Sequence, residues 1–113
     1  MNDHPDSLVA RLSPYRETPG VIAALLISRD GFVVAADADP EFAIDAVAAQ
    51  VGGAIDLGRR LASELRQPEA KYISLEFEEL NIILAPFGDE IMLALVGTPD
   101  ALTCEYQLNT AGA

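Results

Sequence analysis

The stretch from Pro40 to about Arg66 reads as one uninterrupted helix. It would run for about 26 residues and, at 1.5 Å per residue, for about 39 Å. That is roughly twice the average helix, in a chain of 113 residues that size statistics make a single domain. The start is marked by Asp39, Pro40 and Glu41. The aspartate can accept from free backbone amides, the proline suits the first helical position, and the glutamate favours the positive end of the helix dipole. Gln67-Pro68 marks the end.

At about 100° per residue, one face of this helix collects Ile44, Val47, Val51, Ala54, Ile55, Gly58, Leu61, Ala62 and Leu65, the apolar stripe of a helix packed on a sheet. A second face collects Ala46, Ala49, Gln50, Gly53, Leu57 and Arg60. Small side chains at Ala46, Ala49 and Gly53 allow another backbone to come close. Each interior glycine costs about 0.5–1 kcal/mol relative to alanine. Gly58 falls on the core stripe, where contact with the sheet accounts for it. Gly53 does not, so its face is expected either to meet a second copy of the helix, two-fold dimers being the commonest assembly, or to be a tolerant, alanine-rich solvent face.

Strand patterns flank the helix. Val21–Ile27 is apolar at every position, as a strand covered on both faces would be. Ser28-Arg29-Asp30-Gly31 is a turn whose Asp-Gly tip signals a hairpin, since both residues tolerate positive φ, and Phe32–Ala36 is the returning strand. After the helix, Lys71–Phe77 alternates, with Ile73, Leu75 and Phe77 on one face and Tyr72, Ser74 and Glu76 on the other. It is expected at a sheet edge, where pairing with its own copy would bury it. Ile82–Ala85 and Ile91–Val96 complete five strands. A short first helix carries Leu8, Leu12 and Tyr15 on one face, with Asp6 or Ser7 as cap, and Pro14 bends or ends it. Thr98-Pro99-Asp100 opens a weak last helix in which Ala101, Cys104 and Leu108 face the sheet. The ordered core is expected over about residues 8–108.

The charged residues narrow the function. Seven Lys and Arg stand against eighteen Asp and Glu, a net charge of −11. That is a poor match to phosphate backbones or anionic membranes. No apolar run is long enough for a bilayer, and the acidic N-terminus lacks the layout of a signal peptide. A cytoplasmic location is therefore expected, in keeping with a single cysteine. No catalytic, cofactor-binding or metal-binding residue emerges. His4 falls in a terminal tail, Cys104 in a partly apolar stretch, and Gly52-Gly53 lacks the Lys-Ser/Thr of a phosphate loop. Glu76, Glu78 and Glu79 read as a solvated hairpin tip. Arg59, Arg60, Arg66 and Lys71 gather at the far end of the long helix, where they complement its dipole or form a local patch for an acidic partner.

The run Pro19-Gly20-Val21 through Ala35, with its apolar strand, Asp-Gly turn and second strand, resembles the opening of a Roadblock (dynein light chain type) domain. The alanine-rich helix and the three closing strands follow the same order, so the resemblance covers roughly Leu8 to Leu108. It implies an α/β (α+β), profilin-like sandwich in which a five-stranded antiparallel sheet carries the long helix on one face and short terminal helices on the other. It also implies dimerisation through the long helix and the strand after it, here Ala46, Ala49, Gln50, Gly53, Leu57, Tyr72, Ile73, Ser74 and Leu75. Bacterial MglB-like members are activating partners of small Ras-like GTPases, and others are scaffolds or dynein light chains. Members neither bind nor hydrolyse nucleotide themselves. On that resemblance, Asp56, Arg59, Arg60 and Arg66 are candidate GTPase contacts. The expected function is a non-enzymatic homodimeric regulator of a small GTPase. The alternative is a scaffold or ligand-sensing module without a GTPase partner.

Overall fold

β1 (Val21–Ser28) is the strand around which the domain is built, and its burial follows from its composition. Leu25 and Ile27 point into one apolar cluster, while Ala24 and Leu26 point into another on the opposite face. A computed structural model describes residues 5–88 and 90–102, the side chains of 5–7 excepted. Its elements are α1 (Pro5–Ala10), α2 (Ser13–Arg16), β1, β2 (Val33–Ala38), α3 (Ile44–Glu64), β3 (Ile73–Glu76), β4 (Asn81–Pro86) and β5 (Ile91–Gly97). The strands form one antiparallel sheet in the order β2-β1-β5-β4-β3, which leaves β2 and β3 as its edges.

The sheet separates two cores. On one face Val51, Ala48 and Ile55 of α3 meet Leu25, Ile27, Leu84, Met92 and Ala94. On the other, Leu12 is fully buried among Leu26, Ile83, Leu93 and Leu102, with Leu8 and Tyr15 packed against it. The expected sandwich is thus formed, with the long helix on one face and α1, α2 and the turn at 98–102 on the other. Asn81 reaches that turn from β4, its Nδ2 donating to the Leu102 carbonyl at 3.0 Å. His4, Cys104, Leu108 and the caps Asp6 and Ser7 lie outside the described residues or side chains.

Several local expectations are corrected. Helix α3 begins at Ile44, not Pro40, and its N-cap is Ala43 with no side-chain hydrogen bond. Asp39 lies four residues before that cap, and its carboxylate instead pairs with Arg16, whose Nη2 donates to Asp39 at 3.0 Å and Nε to Asp37 at 3.1 Å, while Nη1 donates to the Val21 carbonyl. Residues 39–42 form a turn closed by Phe42 N–H to Asp39 C=O. The helix ends at Glu64 and is about 31 Å long at 1.5 Å per residue. Pro14 does not end the first helix; it starts the second, after a break at 11–12. In the β1–β2 hairpin only Gly31 has positive φ, 92°. Ser28 C=O accepts from Gly31 N–H and Ser28 N–H donates to Phe32 C=O, so the link is a tight turn followed by a left-handed glycine. Phe32 lies outside β2 and is exposed. β3 is only four residues long, and Leu75 and Phe77 are exposed.

The C-terminus of α3 is closed by two bonds, Gln67 N–H to Ala62 C=O and Arg66 N–H to Ser63 C=O. This is the Schellman arrangement, with Arg66 at the left-handed position, φ 57°. Glycine is the residue that adopts this conformation without strain. Arg66→Gly is therefore expected to raise stability by about 0.5–1 kcal/mol in urea denaturation.

Candidate interaction surface

Helix α3 packs most closely over β1 and β2, reaches Leu84 of β4 and Ile73 of β3 with the same cluster, and leaves Leu75 of β3 exposed. The apolar stripe read from the sequence is therefore wider than the core it serves. Ala48, Val51 and Ile55 are buried. Leu61 and Leu65, expected in the core, are 53% and 66% exposed. Leu57 is 54% exposed beside them.

Between this leucine row and β3 lies a groove of about 570 Å³, walled by Leu57, Leu61 and Leu65 on the helix, Ile73 and Leu75 on the strand, and Pro68 and Ala70 in the connection. Farther along the same side, Phe42, Val47, Phe77, Leu80, Ile82 and Val96 line a smaller recess of about 210 Å³. Exposed apolar surface of this extent, beside a sheet edge that no described strand pairs, makes this side the candidate interaction surface. Among the described residues no helix is long and apolar enough to cross a membrane. Nor do three His, Cys, Asp or Glu side chains converge among them as a metal site.

Ala46, Ala49, Gln50 and Gly53 are all exposed on the outer side of α3, next to Leu57. Among the described residues nothing lies within 4 Å of where a Gly53 Cβ would be. The glycine that admits a close backbone is its neighbour: a Cβ on Gly52 would come within 2.9 Å of Gly31 Cα. Gly58 faces Ile73, as expected of the core stripe: a Cβ there would come within 3.2 Å of Ile73 Cδ1. Tyr72, Ile73 and Ser74 are half-buried and Leu75 exposed, so the edge strand shows its apolar alternation to solvent.

The charged candidates separate into two settings. Asp56 and Arg60 pair with each other at 3.0 Å along the exposed side of α3, a contact that contributes little by itself. Arg59 and Arg66 are exposed at the C-terminal end. An unforeseen clamp lies nearby. Arg29 in the β1–β2 turn donates twice to Glu69, at 2.8 and 3.0 Å, and so ties that turn to the wall of the groove. These hydrogen bonds, reinforced by the charges of Arg29 and Arg59, hold the Glu69 carboxyl below its ordinary value. A depressed acid contributes stability above its unfolded value and loses it as pH falls through the folded one. Glu69→Gln is accordingly expected to flatten the stability profile below pH 4.5, followed by urea denaturation.

Fold and surface together define a small α/β domain that presents an apolar groove and a free sheet edge on one side. The chain belongs to the Roadblock/LC7 domain family, whose profile matches residues 9–97. Members of this family are regulators or adaptors rather than enzymes. Among solved structures it is similar to the gliding protein MglB of Thermus thermophilus, at 25% identity and TM-score 0.80, covering 95% of this chain and 82% of that one. An MglB with tetrameric arrangement gives 24% identity and TM-score 0.82 over the same shares. MglB of Myxococcus xanthus shares the fold at 11% identity, TM-score 0.86, over 99% of this chain and 85% of that one. No curated protein matches the chain.

Proposed function

We propose that this protein is a homodimeric regulator or scaffold that binds a small Ras-like GTPase and modulates its nucleotide cycle. The observation that carries the reading is the leucine row and groove beside the unpaired β3 edge. A second copy is the partner that this surface fits. Leu57, Leu61 and the small face at Ala46, Ala49, Gln50 and Gly53 lie side by side on α3, and Tyr72, Ile73, Ser74 and Leu75 extend the surface onto the strand. The GTPase reading rests on family membership and on the resemblance to MglB-like regulators. Asp56, Arg59, Arg60 and Arg66, on the exposed side and end of α3, are its proposed contacts. The GTPase supplies nucleotide and magnesium, and this protein biases its switch segments by binding one arrangement more tightly.

The dimer is tested by sedimentation. The wild type is expected at twice its 12.0 kDa chain mass, and Leu61→Arg is expected to weaken association at least about tenfold by placing a charge in the apolar surface. Because Leu61 is exposed in the protomer, its circular dichroism should be unchanged. The GTPase arm uses a small Ras-like GTPase from the same organism. Complex formation and an altered single-turnover GTP hydrolysis rate are expected. No complex at micromolar concentrations, with an unchanged rate, overturns the GTPase reading and leaves the scaffold.

A further inference from the structure

Resting on the reading that a second copy fills the groove, we propose that Arg29 is the positioning residue of that surface. Its guanidinium holds one wall of the groove, the connection 67–72, in the place where the partner meets it. The two walls are built differently. The leucine row stands on α3, a helix of 21 residues seated by Ala48, Val51 and Ile55. The opposite wall, Pro68 to Lys71, belongs to no helix or strand, and each of its residues is exposed. At its start Gln67 N–H is closed onto Ala62 C=O. At its end the chain enters β3 with Ile73 opposite Leu84. Midway between, both Glu69 carboxylate oxygens accept from Arg29.

The anchor itself has little freedom. The turn carrying Arg29 is closed by Gly31 N–H to Ser28 C=O, Ser28 N–H to Phe32 C=O and Phe32 N–H to Ser28 Oγ, and its Gly31 lies against Gly52 of α3. The Arg29 side chain is 17% exposed, against 51% for Glu69. Behind the wall, Arg29, Glu69, Tyr72, Ile73 and Met92 leave a recess of only about 20 Å³, while the groove in front measures about 570 Å³. The wall is thus backed on the Arg29 side and open on the partner's side. Two charged groups stand close by. Glu90 of the β4–β5 turn lies 4.0 Å from Arg29 Nε, and Arg59 acts on Glu69 through its charge. Arg59 belongs to α3, so it draws the wall toward the helix and cannot replace the tie to the β1–β2 turn. Two N–H···O bonds from one planar fork fix direction as well as distance, which a lysine ammonium does not. A pair with one partner half exposed adds little to overall stability. Its loss therefore loosens the wall and leaves both cores in place.

The test reads the wall and the association separately at neutral pH. Trypsin cleavage after Lys71, located by mass spectrometry, follows opening of the connection. Arg29→Gln, Arg29→Lys and Glu69→Gln are each expected to speed it at least about fivefold and to weaken self-association in sedimentation about tenfold, with urea midpoints close to the wild type. Arg59→Gln removes a charge beside Glu69 without touching the fork and is expected to match the wild type in both readouts. Arg29→Glu combined with Glu69→Arg reverses the pair and is expected to recover most of both losses. Cleavage of Arg29→Gln within about twofold of the wild type overturns the hold on the wall. Faster cleavage with unchanged association overturns the positioning role and leaves the dimer standing. Wild-type behaviour of Arg29→Lys overturns the fork in favour of charge alone. A wild type that sediments as a single chain removes the dimer reading and the association effect with it, while the cleavage rates still decide whether Arg29 holds the wall.

Discussion

Leu25→Ala is expected to lower the unfolding free energy by about 3–5 kcal/mol. Leu25 is fully buried in the central part of β1, in the cluster that α3 closes. Its cross-strand neighbours are alanines on both sides, Ala36 of β2 and Ala94 of β5. Neither has a side chain long enough to swing into the vacated volume, so the cavity persists and the cost falls toward the upper end for this substitution. Such a loss is a large share of the ~5–15 kcal/mol that holds a domain of this kind. Urea denaturation should show a fall in midpoint with an unchanged slope. Leu61→Ala removes the same atoms from an exposed position and, in a monomeric background, should change stability by less than about 0.5 kcal/mol. A loss below ~1.5 kcal/mol at Leu25 would contradict the two-sided burial of β1.

The difference between these leucines also explains how far the sequence could be read. Val21–Ile27 and the alternating strands announce themselves locally, because burial on both faces or on one is written in the period of the apolar residues. The Ala-rich helix is legible for the same reason. Its stripe says which side is apolar but not how much sheet lies beneath it. Leu61 and Leu65 share the stripe of Val51 and Ile55, yet these two are exposed on the rim of the groove beside β3. The helix start is not legible because residues 39–42 close a turn of their own and Asp39 pairs with Arg16, 23 residues away. The clamp from Arg29 to Glu69 spans 40 residues and leaves no local trace. The groove exists only where such distant elements converge. Its strand wall is foreshadowed by the exposed alternation of Ile73, Leu75 and Phe77, whereas its helix wall is hidden within what reads as core.

The two adjacent glycines of α3 are expected to respond with opposite signs. Gly52→Val should destabilise the protein by about 2–3 kcal/mol, whereas Gly53→Ala in the Leu61→Arg background should stabilise it by about 0.5–1 kcal/mol. A Cβ at position 52 would lie 2.9 Å from Gly31 Cα and 3.3 Å from Gly31 N. Both are backbone atoms, in a turn pinned by its bonds to Ser28. Gly31 has little freedom to retreat, since it occupies φ 92° and faces the Ala48 carbonyl and Ala49 Cα on the same helix. The clash must therefore lift the β1–β2 turn off α3, and valine adds its β-branched loss of helix preference to that cost. Position 53 meets open space in the protomer, so alanine there brings only the gain in helix propensity. In the wild-type background the same position reports on assembly. Gly53→Arg should weaken the dimer while leaving the protomer folded, because the outer side of α3 is where a second helix has to approach. Equal losses at 52 and 53 in the monomeric background would mean that the helix is seated differently on the turn, with Gly53 rather than Gly52 facing Gly31.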